Sequence, residues 1–95
     1  MLYTFSRSQY DVQQLEELLA QITEQDMILL WQDGVLLPLK YPTVFQDNHH
    51  YCVLENDVIA RNLQYYFSTE NTLFSLISLT ALVKLTEEYF PQISL

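Results

Sequence analysis

Short, mostly apolar runs along this chain are separated by stretches in which apolar residues recur at helical spacing. Unbroken apolar runs of strand length are typical of β-strands that are buried on both faces. Four short runs predict strands: Met27–Trp31 and Tyr51–Leu54, which are unbroken, and Leu2–Phe5 and Leu73–Ile77, which each contain one hydroxyl residue. After the first run, apolar residues recur every three or four positions from Val12 to Ile22, which predicts an amphipathic helix.

Polar residues and prolines predict where the other helices begin and end. Side chains that can cap helices stand at Asp11 before Val12, at Asn56 or Asp57 before Val58–Leu63, and at Thr80 before the last helix. A short helix is predicted over Val35–Leu39 and a polar loop over Ser68–Asn71. Pro91 ends the last helix, and Ile93–Leu95 predicts a short final strand.

The order of these elements predicts the fold class. Strands alternate with helices along the whole chain, which is typical of an α/β domain whose sheet is mostly parallel. We therefore expect residues 1–95 to form a single three-layer α/β/α domain with a sheet of four to five strands.

In a parallel sheet the carboxyl ends of the strands share one edge, where ligands and partners usually dock. Arg61 follows Asp57 by one helical turn, so the two side chains can face each other. We expect six residues of this region to be structural or to face a partner: Ser8, Gln32, Asp33, Gly34, Asp57 and Arg61.

Composition adds an expectation about assembly and excludes some partners. Hydrophobic residues make up 49% of the chain and charged residues only 17%, which is more apolar material than one small core hides. We therefore expect a sizeable subunit interface. The net charge is −8 with only four Lys and Arg, which argues against direct nucleic-acid binding and against anionic membranes.

The sequence gives little indication of a site for a nucleotide or a metal ion. Phosphate-binding loops need several glycines, and this chain contains one, so we expect no nucleotide cofactor of the usual kind. His50 and Cys52 share one face of a predicted strand while His49 points the other way, and two ligands do not complete a metal site. We expect no bound metal.

Candidate catalytic residues have simpler interpretations. His50 can lower the pKa of Cys52 and make it a nucleophile, but a mid-strand cysteine is more typical of a core. Asp33 and Asp57 can act as an acid–base pair, but turn and cap roles account for both. We expect no catalytic residue. One cysteine forms no intrachain disulfide, and neither a signal peptide nor a membrane span is visible, so we expect a cytoplasmic protein.

Four stretches together resemble the TusB/DsrH family. They are Leu2-Tyr3-Thr4 with Ser8, Met27–Trp31 followed by Gln32-Asp33-Gly34-Val35, Leu54-x-x-Asp57-x-x-Ala60-Arg61-x-Leu63, and Val83-Lys84-Leu85-Thr86. They run almost from end to end of the chain. The resemblance implies a DsrEFH-like fold and a small subunit of a cytoplasmic TusBCD complex, a heterohexamer with two copies each of TusB-, TusC- and TusD-like chains.

The same resemblance implies a function for that complex. It relays persulfide sulfur from TusA towards TusE, for the 2-thio group of the wobble uridine in certain tRNAs, and its relay cysteine belongs to the TusD-like subunit. Some DsrH-like members, which serve in sulfur oxidation, carry a cysteine in the first helix where this chain has Leu18. That difference favours a TusB-like role over a subunit of a DsrEFH-type sulfur-oxidation complex. Asn62 replaces the glycine of the family's A-R-G-L segment. Two alternatives remain, a persulfide carrier that uses Cys52 and a self-associating domain with an unrelated role.

Overall fold

The computed structural model describes residues 1–45, 49–68 and 73–95. Within these residues five strands form one sheet in the order β4-β3-β2-β1-β5, and every neighbouring pair is parallel. The strands are β1 (Leu2–Phe5), β2 (Met27–Leu30), β3 (Tyr51–Leu54), β4 (Phe74–Ile77) and β5 (Gln92–Ser94). The predicted α/β class with a parallel sheet is confirmed.

Helices fill the connections between the strands. They are α1 (Val12–Gln21), a 3-10 helix (Gln32–Leu36) continued by α2 (Leu37–Lys40), α3 (Glu55–Ala60), α4 (Gln64–Ser68) and α5 (Leu79–Glu88). Asp11 caps α1 as predicted, because its carboxylate accepts the backbone N–H of Gln14 at 3.0 Å.

Two predicted helix starts are wrong. α3 begins at Glu55, directly after β3, so neither Asn56 nor Asp57 is its cap. The carboxylate of Asp57 instead accepts a hydrogen bond from the backbone N–H of Gln32, which lies in the connection between β2 and β3. Thr80 lies inside the first turn of α5, and the cap is Ser78, whose hydroxyl accepts the backbone N–H of Ala81 at 3.1 Å.

Two other boundaries differ from the prediction. The short helix expected over Val35–Leu39 is longer, because it starts as 3-10 turns at Gln32 and runs to Lys40. Pro38 does not end it, because it lies in the first turn of α2. Backbone N–H groups in the first turn have no partner within a helix, so the N–H that proline lacks is not missed there. Of the loop predicted over residues 68–71, Ser68 is the last residue of α4, and the rest lies outside the described residues.

The sheet has two unequal faces. On one, which we call the four-helix face, Tyr51 and Val53 of β3 pack in the larger core cluster with residues of α1 to α4, such as Leu15 and Val58. On the other, which we call the α5 face, a smaller cluster of Leu2, Leu29 and Cys52 lies against Leu82 and Leu85 of α5 and against Tyr89, which follows α5.

The strand order explains this inequality. The chain moves in one direction from β1 to β4, and right-handed crossovers in one direction place their helices on the same face. Only the connection from β4 to β5 runs back across the whole sheet, which places α5 alone on the opposite face. Among the described residues, no helix combines the length and the apolar character that crossing a membrane requires.

Candidate functional site

Arg61 joins two of the predicted site residues at the carboxyl edge of the sheet. Its Nε and Nη2 atoms donate to Oδ1 of Asp33 at 3.1 and 2.8 Å. Its Nη1 lies 3.2 Å from the backbone oxygen and 3.5 Å from Oδ1 of Asp57, one helical turn earlier. The expected pairing of Asp57 with Arg61 is therefore present, and Asp33 joins it from the preceding connection.

The second carboxylate oxygen of Asp57 holds the start of the 3-10 helix. Oδ2 of Asp57 accepts the backbone N–H of Gln32 at 2.6 Å. Gln32 has a φ of 52°, a left-handed conformation that a residue with a side chain adopts at an energetic cost. A hydrogen bond to a charged acceptor offsets part of that cost, so Asp57 supports the sharp turn at the end of β2.

Gly34 allows the same turn to lie against the end of β1. A Cβ atom at this position would lie 1.9 Å from the backbone oxygen of Phe5 and 2.7 Å from its carbonyl carbon. Both atoms belong to the backbone, so they cannot rotate away as a flexible side chain can. The only glycine of the chain is therefore required by close backbone packing.

Two further residues singled out by the sequence, Asn62 and Ser8, lie outside the network of Asp33, Arg61 and Asp57. Asn62 follows α3 with a φ of 58°, a left-handed conformation that asparagine tolerates better than most residues with a side chain. Asparagine can thus form the turn for which glycine is otherwise suited. Ser8 is half-buried in the loop between β1 and α1, and among the described contacts it takes no part in the Asp33–Arg61–Asp57 network.

The geometry of this network suits a structural role. One guanidinium forms ion pairs with both carboxylates, and the remaining oxygen of Asp57 is already hydrogen-bonded to the backbone. A general base needs a carboxylate that is free to take a proton from a substrate. The acid–base alternative for Asp33 and Asp57 therefore finds no support in their contacts.

Cys52 lies in the core beneath α5. Only 6% of its surface is exposed, and its Sγ lies 3.5 Å from Sδ of Met27. Burial raises the pKa of the Cys52 thiol, so less of the reactive thiolate is present at neutral pH. The interpretation of Cys52 as a core residue is the one that its surroundings support.

Among the described contacts, His50 pairs with Ser75 and Cys52 with Met27, and no hydrogen bond joins His50 to Cys52. The Nε2 atom of His50 is 2.6 Å from the hydroxyl of Ser75 on β4, so one of its two ring nitrogens is occupied. Sequence reasoning missed Ser75, although a serine inside an apolar run is a signal for a polar partner nearby. Within the part of the chain that the structure describes, no group of three His, Cys, Asp or Glu side chains can hold a metal ion.

Known proteins resemble this chain over its whole length. The family described as DsrH like protein matches residues 7–92. An uncharacterized protein of Haemophilus influenzae is 46% identical over 96 residues, which covers 100% of each chain. Protein TusB of Yersinia pestis strain Pestoides F and Protein TusB of Yersinia pseudotuberculosis serotype O:1b are each 41% identical over 98 residues, with 99% of each chain covered.

Proposed function

Because this chain belongs to the DsrH-like protein family, we propose that it is a non-catalytic structural subunit of a TusBCD-type sulfur-relay complex. In this proposal it assembles in the cytoplasm with TusC-like and TusD-like chains, two copies of each. The complex transfers persulfide sulfur from TusA to TusE for 2-thiolation of the wobble uridine of tRNA. The observation that carries the proposal is the 41% identity to Protein TusB over 99% of both chains.

The state of the cysteine supports a non-catalytic role. A persulfide carrier needs a thiolate that an incoming sulfur donor can reach. Cys52 is buried under α5 with a raised pKa, and position 18 in α1 carries a leucine that packs against the larger core cluster. The relay cysteine is therefore expected on the TusD-like partner.

Apolar side chains on the surface support a role within an assembly. Leu79 and Val83 on α5 are 53% and 57% exposed, and Phe90 directly after α5 is 72% exposed. Exposed apolar residues that cluster on one element are typical of interfaces between subunits. We propose that the outer side of α5 packs against a TusC-like or TusD-like chain.

Co-expression with TusC-like and TusD-like chains, followed by gel filtration, tests the assembly. We expect one complex that contains all three chains in equal amounts. Val83→Glu should release this chain from the complex, because it buries a charge in the interface. Lys84→Gln, a change at the next position of the same helix, serves as the control and should leave the complex intact. A wild-type chain that elutes alone with both partners present would refute the proposal.

Mass spectrometry after loading the complex with a persulfide donor tests the non-catalytic role. We expect the labile sulfur on the TusD-like chain, and we expect Cys52→Ser to retain the transfer of sulfur to TusE. A labile sulfur on Cys52, together with lost transfer in Cys52→Ser, would instead establish this chain as a carrier.

A further inference from the structure

A second site lies at the carboxyl edge of the sheet. It is formed beside the end of β1, whereas the Asp33–Arg61–Asp57 network lies beside the ends of β2 and β3. An open cleft of about 490 Å³ is bounded by the loop that follows β1, the start of α1 and the end of α2. The strand order reverses between β1 and β5, and the cleft lies where these two strands end. In open α/β sheets, ligands bind outside the carboxyl ends of the strands at such a reversal.

Two tyrosines hold the walls of this cleft together. The hydroxyl of Tyr41 accepts the backbone N–H of Tyr10 at 3.4 Å and donates to the backbone oxygen of Tyr10 at 3.1 Å. The hydroxyl of Tyr10 donates to the backbone oxygen of Leu95 at 2.8 Å, and its ring packs against Phe5 with 5.7 Å between ring centroids. The hydrogen bonds of the two tyrosines therefore hold the walls of the cleft in a fixed position relative to each other.

A basic side chain also lies over the ring of each tyrosine. The guanidinium carbon of Arg7 lies 4.5 Å from the centroid of the Tyr10 ring, and Nζ of Lys40 lies 5.8 Å from that of Tyr41. Stacking of this kind orients a cation and leaves its N–H groups free to bind a ligand. In residues 1–45, 49–68 and 73–95, neither cation forms an ion pair with an acidic side chain.

The charge of the cleft is the opposite of the charge of the chain. The chain has a net charge of −8 and four basic residues, of which Arg61 is neutralised by two carboxylates. Two of the remaining three line this cleft. The acidic residue of its lining, Asp11, is turned towards the first turn of α1, where its Oδ1 accepts the N–H of Gln14. The cleft is thus a local cationic site on an anionic surface.

The character of the lining indicates what kind of anion it takes. Sites for small molecules are mostly apolar and enclose the ligand, whereas here the lining is polar and Arg7, Gln9 and Lys40 are exposed. One exposed ion pair contributes little to affinity, so a single small anion is held weakly in such a place. An extended peptide with several carboxylates reaches both cations and the glutamine amides at once. We propose that this cleft binds a carboxylate-rich segment of a partner protein.

The proposal does not depend on the sulfur-relay role and is tested on the isolated chain. The probe is a tetraglutamate peptide with a free carboxyl terminus, titrated into the ¹⁵N-labelled full chain at low ionic strength. We expect saturable shifts of amide resonances around the cleft, above all those of Tyr10 and Tyr41. Arg7→Gln and Lys40→Gln should each weaken binding about threefold, because each removes one exposed contact with a carboxylate.

Lys84→Gln is the matched control, because it removes the same charge from α5, outside the cleft. It should leave the affinity unchanged. The altered side chains of Arg7 and Lys40 are exposed, so unchanged spectra away from the cleft will show that both variants fold. Absence of saturable shifts, or an equal loss in Lys84→Gln, would overturn the proposal. So would shifts with inorganic phosphate but none with the peptide, since the cleft would then be a site for a small anion.

Discussion

The two faces of the sheet differ in how completely the chain covers them. On the four-helix face, Leu15 and Leu19 of α1 are buried against a core that includes Tyr51 and Val53. On the α5 face, α5 has the same length of ten residues, yet none of its residues is buried. A helix that crosses the sheet alone has no neighbouring helices to close its flanks. The α5 face is therefore the less completely covered of the two, which fits the proposed role as a subunit.

The largest expected difference between the faces is in the free energy of unfolding. Leu15→Ala removes a fully buried side chain from the four-helix face and should lower stability by about 3 kcal/mol. Leu85→Ala makes the same change on α5, where the side chain is only partly buried, and should cost about 1 kcal/mol. Urea denaturation of both variants measures the difference. Equal losses would mean that the α5 face is already complete in the isolated chain.

The next effect concerns the polar contacts that tie α3, on the four-helix face, to the end of β2. Asp57→Ala removes the acceptor of the Gln32 N–H and should lower stability by about 2 kcal/mol. Asp33→Ala is the control, because Asp33 contacts the same guanidinium but is 59% exposed, and it should cost less than about 1 kcal/mol. Thermal and urea unfolding provide the measurement. A larger loss in Asp33→Ala would show that the ion pair, rather than the backbone contact, holds this edge.

A smaller effect is expected in the reactivity of thiols on the two faces. Cys52 is the natural probe of the α5 face, and Val53→Cys in a Cys52→Ser background places a thiol at the next position, on the four-helix face. Cys52 should react with a thiol reagent about tenfold faster than the introduced cysteine, because less structure must open to expose it. Both should react far more slowly than in the unfolded chain. Equal rates would indicate that both thiols are exposed only by global unfolding.

The smallest effect should come from acid, at the opposite edge of the sheet. The backbone N–H of Thr23 lowers the pKa of Asp26 from 3.8, and contacts with the Thr23 hydroxyl and with the amino terminus of Met1 act in the same direction. A lowered folded-state pKa contributes stability above the unfolded-state value, and that contribution is lost as the pH falls through the folded-state value. Stability should thus fall below pH 3.8 in part because of Asp26.

Asp26→Asn tests this assignment when wild type and variant are unfolded by urea at neutral pH and at acid pH. We expect the variant to be slightly less stable at neutral pH and the difference between the two proteins to shrink in acid. Asp26 belongs to neither helical layer. A difference that stays constant between neutral and acid pH would assign the effect of the substitution to packing rather than to charge.

Much of the fold could be predicted because its signals are local. All four apolar runs form strands, and the cap at Asp11 depends on a residue three positions away. The caps at Asn56, Asp57 and Thr80 were wrong for a different reason. Several residues near each helix start can cap it, and the choice depends on where the preceding strand ends. For Asp57 it also depends on Gln32, 25 positions away in the sequence.

The candidate site also contains one contact that could be predicted from local spacing and others that could not. The contact between Asp57 and Arg61 follows from helical spacing, which relates residues one turn apart. The contact between Arg61 and Asp33 spans 28 positions and exists only because β2 and β3 are neighbours in the sheet. The cleft of Arg7 and Lys40 was not predicted, since its two walls meet through the hydroxyl of Tyr41, 31 positions from Tyr10.

Sequence pattern alone was sufficient for the α/β class, the core character of Cys52 and the family resemblance, because each depends on the kinds of residues and their spacing along the chain. Tertiary structure decided that one helix must cover a whole face of the sheet, that Gly34 must lack a side chain, and that two cations share a cleft on an acidic protein. These features arise from distances between residues far apart in sequence. Such distances depend on strand order, and a one-dimensional pattern does not specify that order.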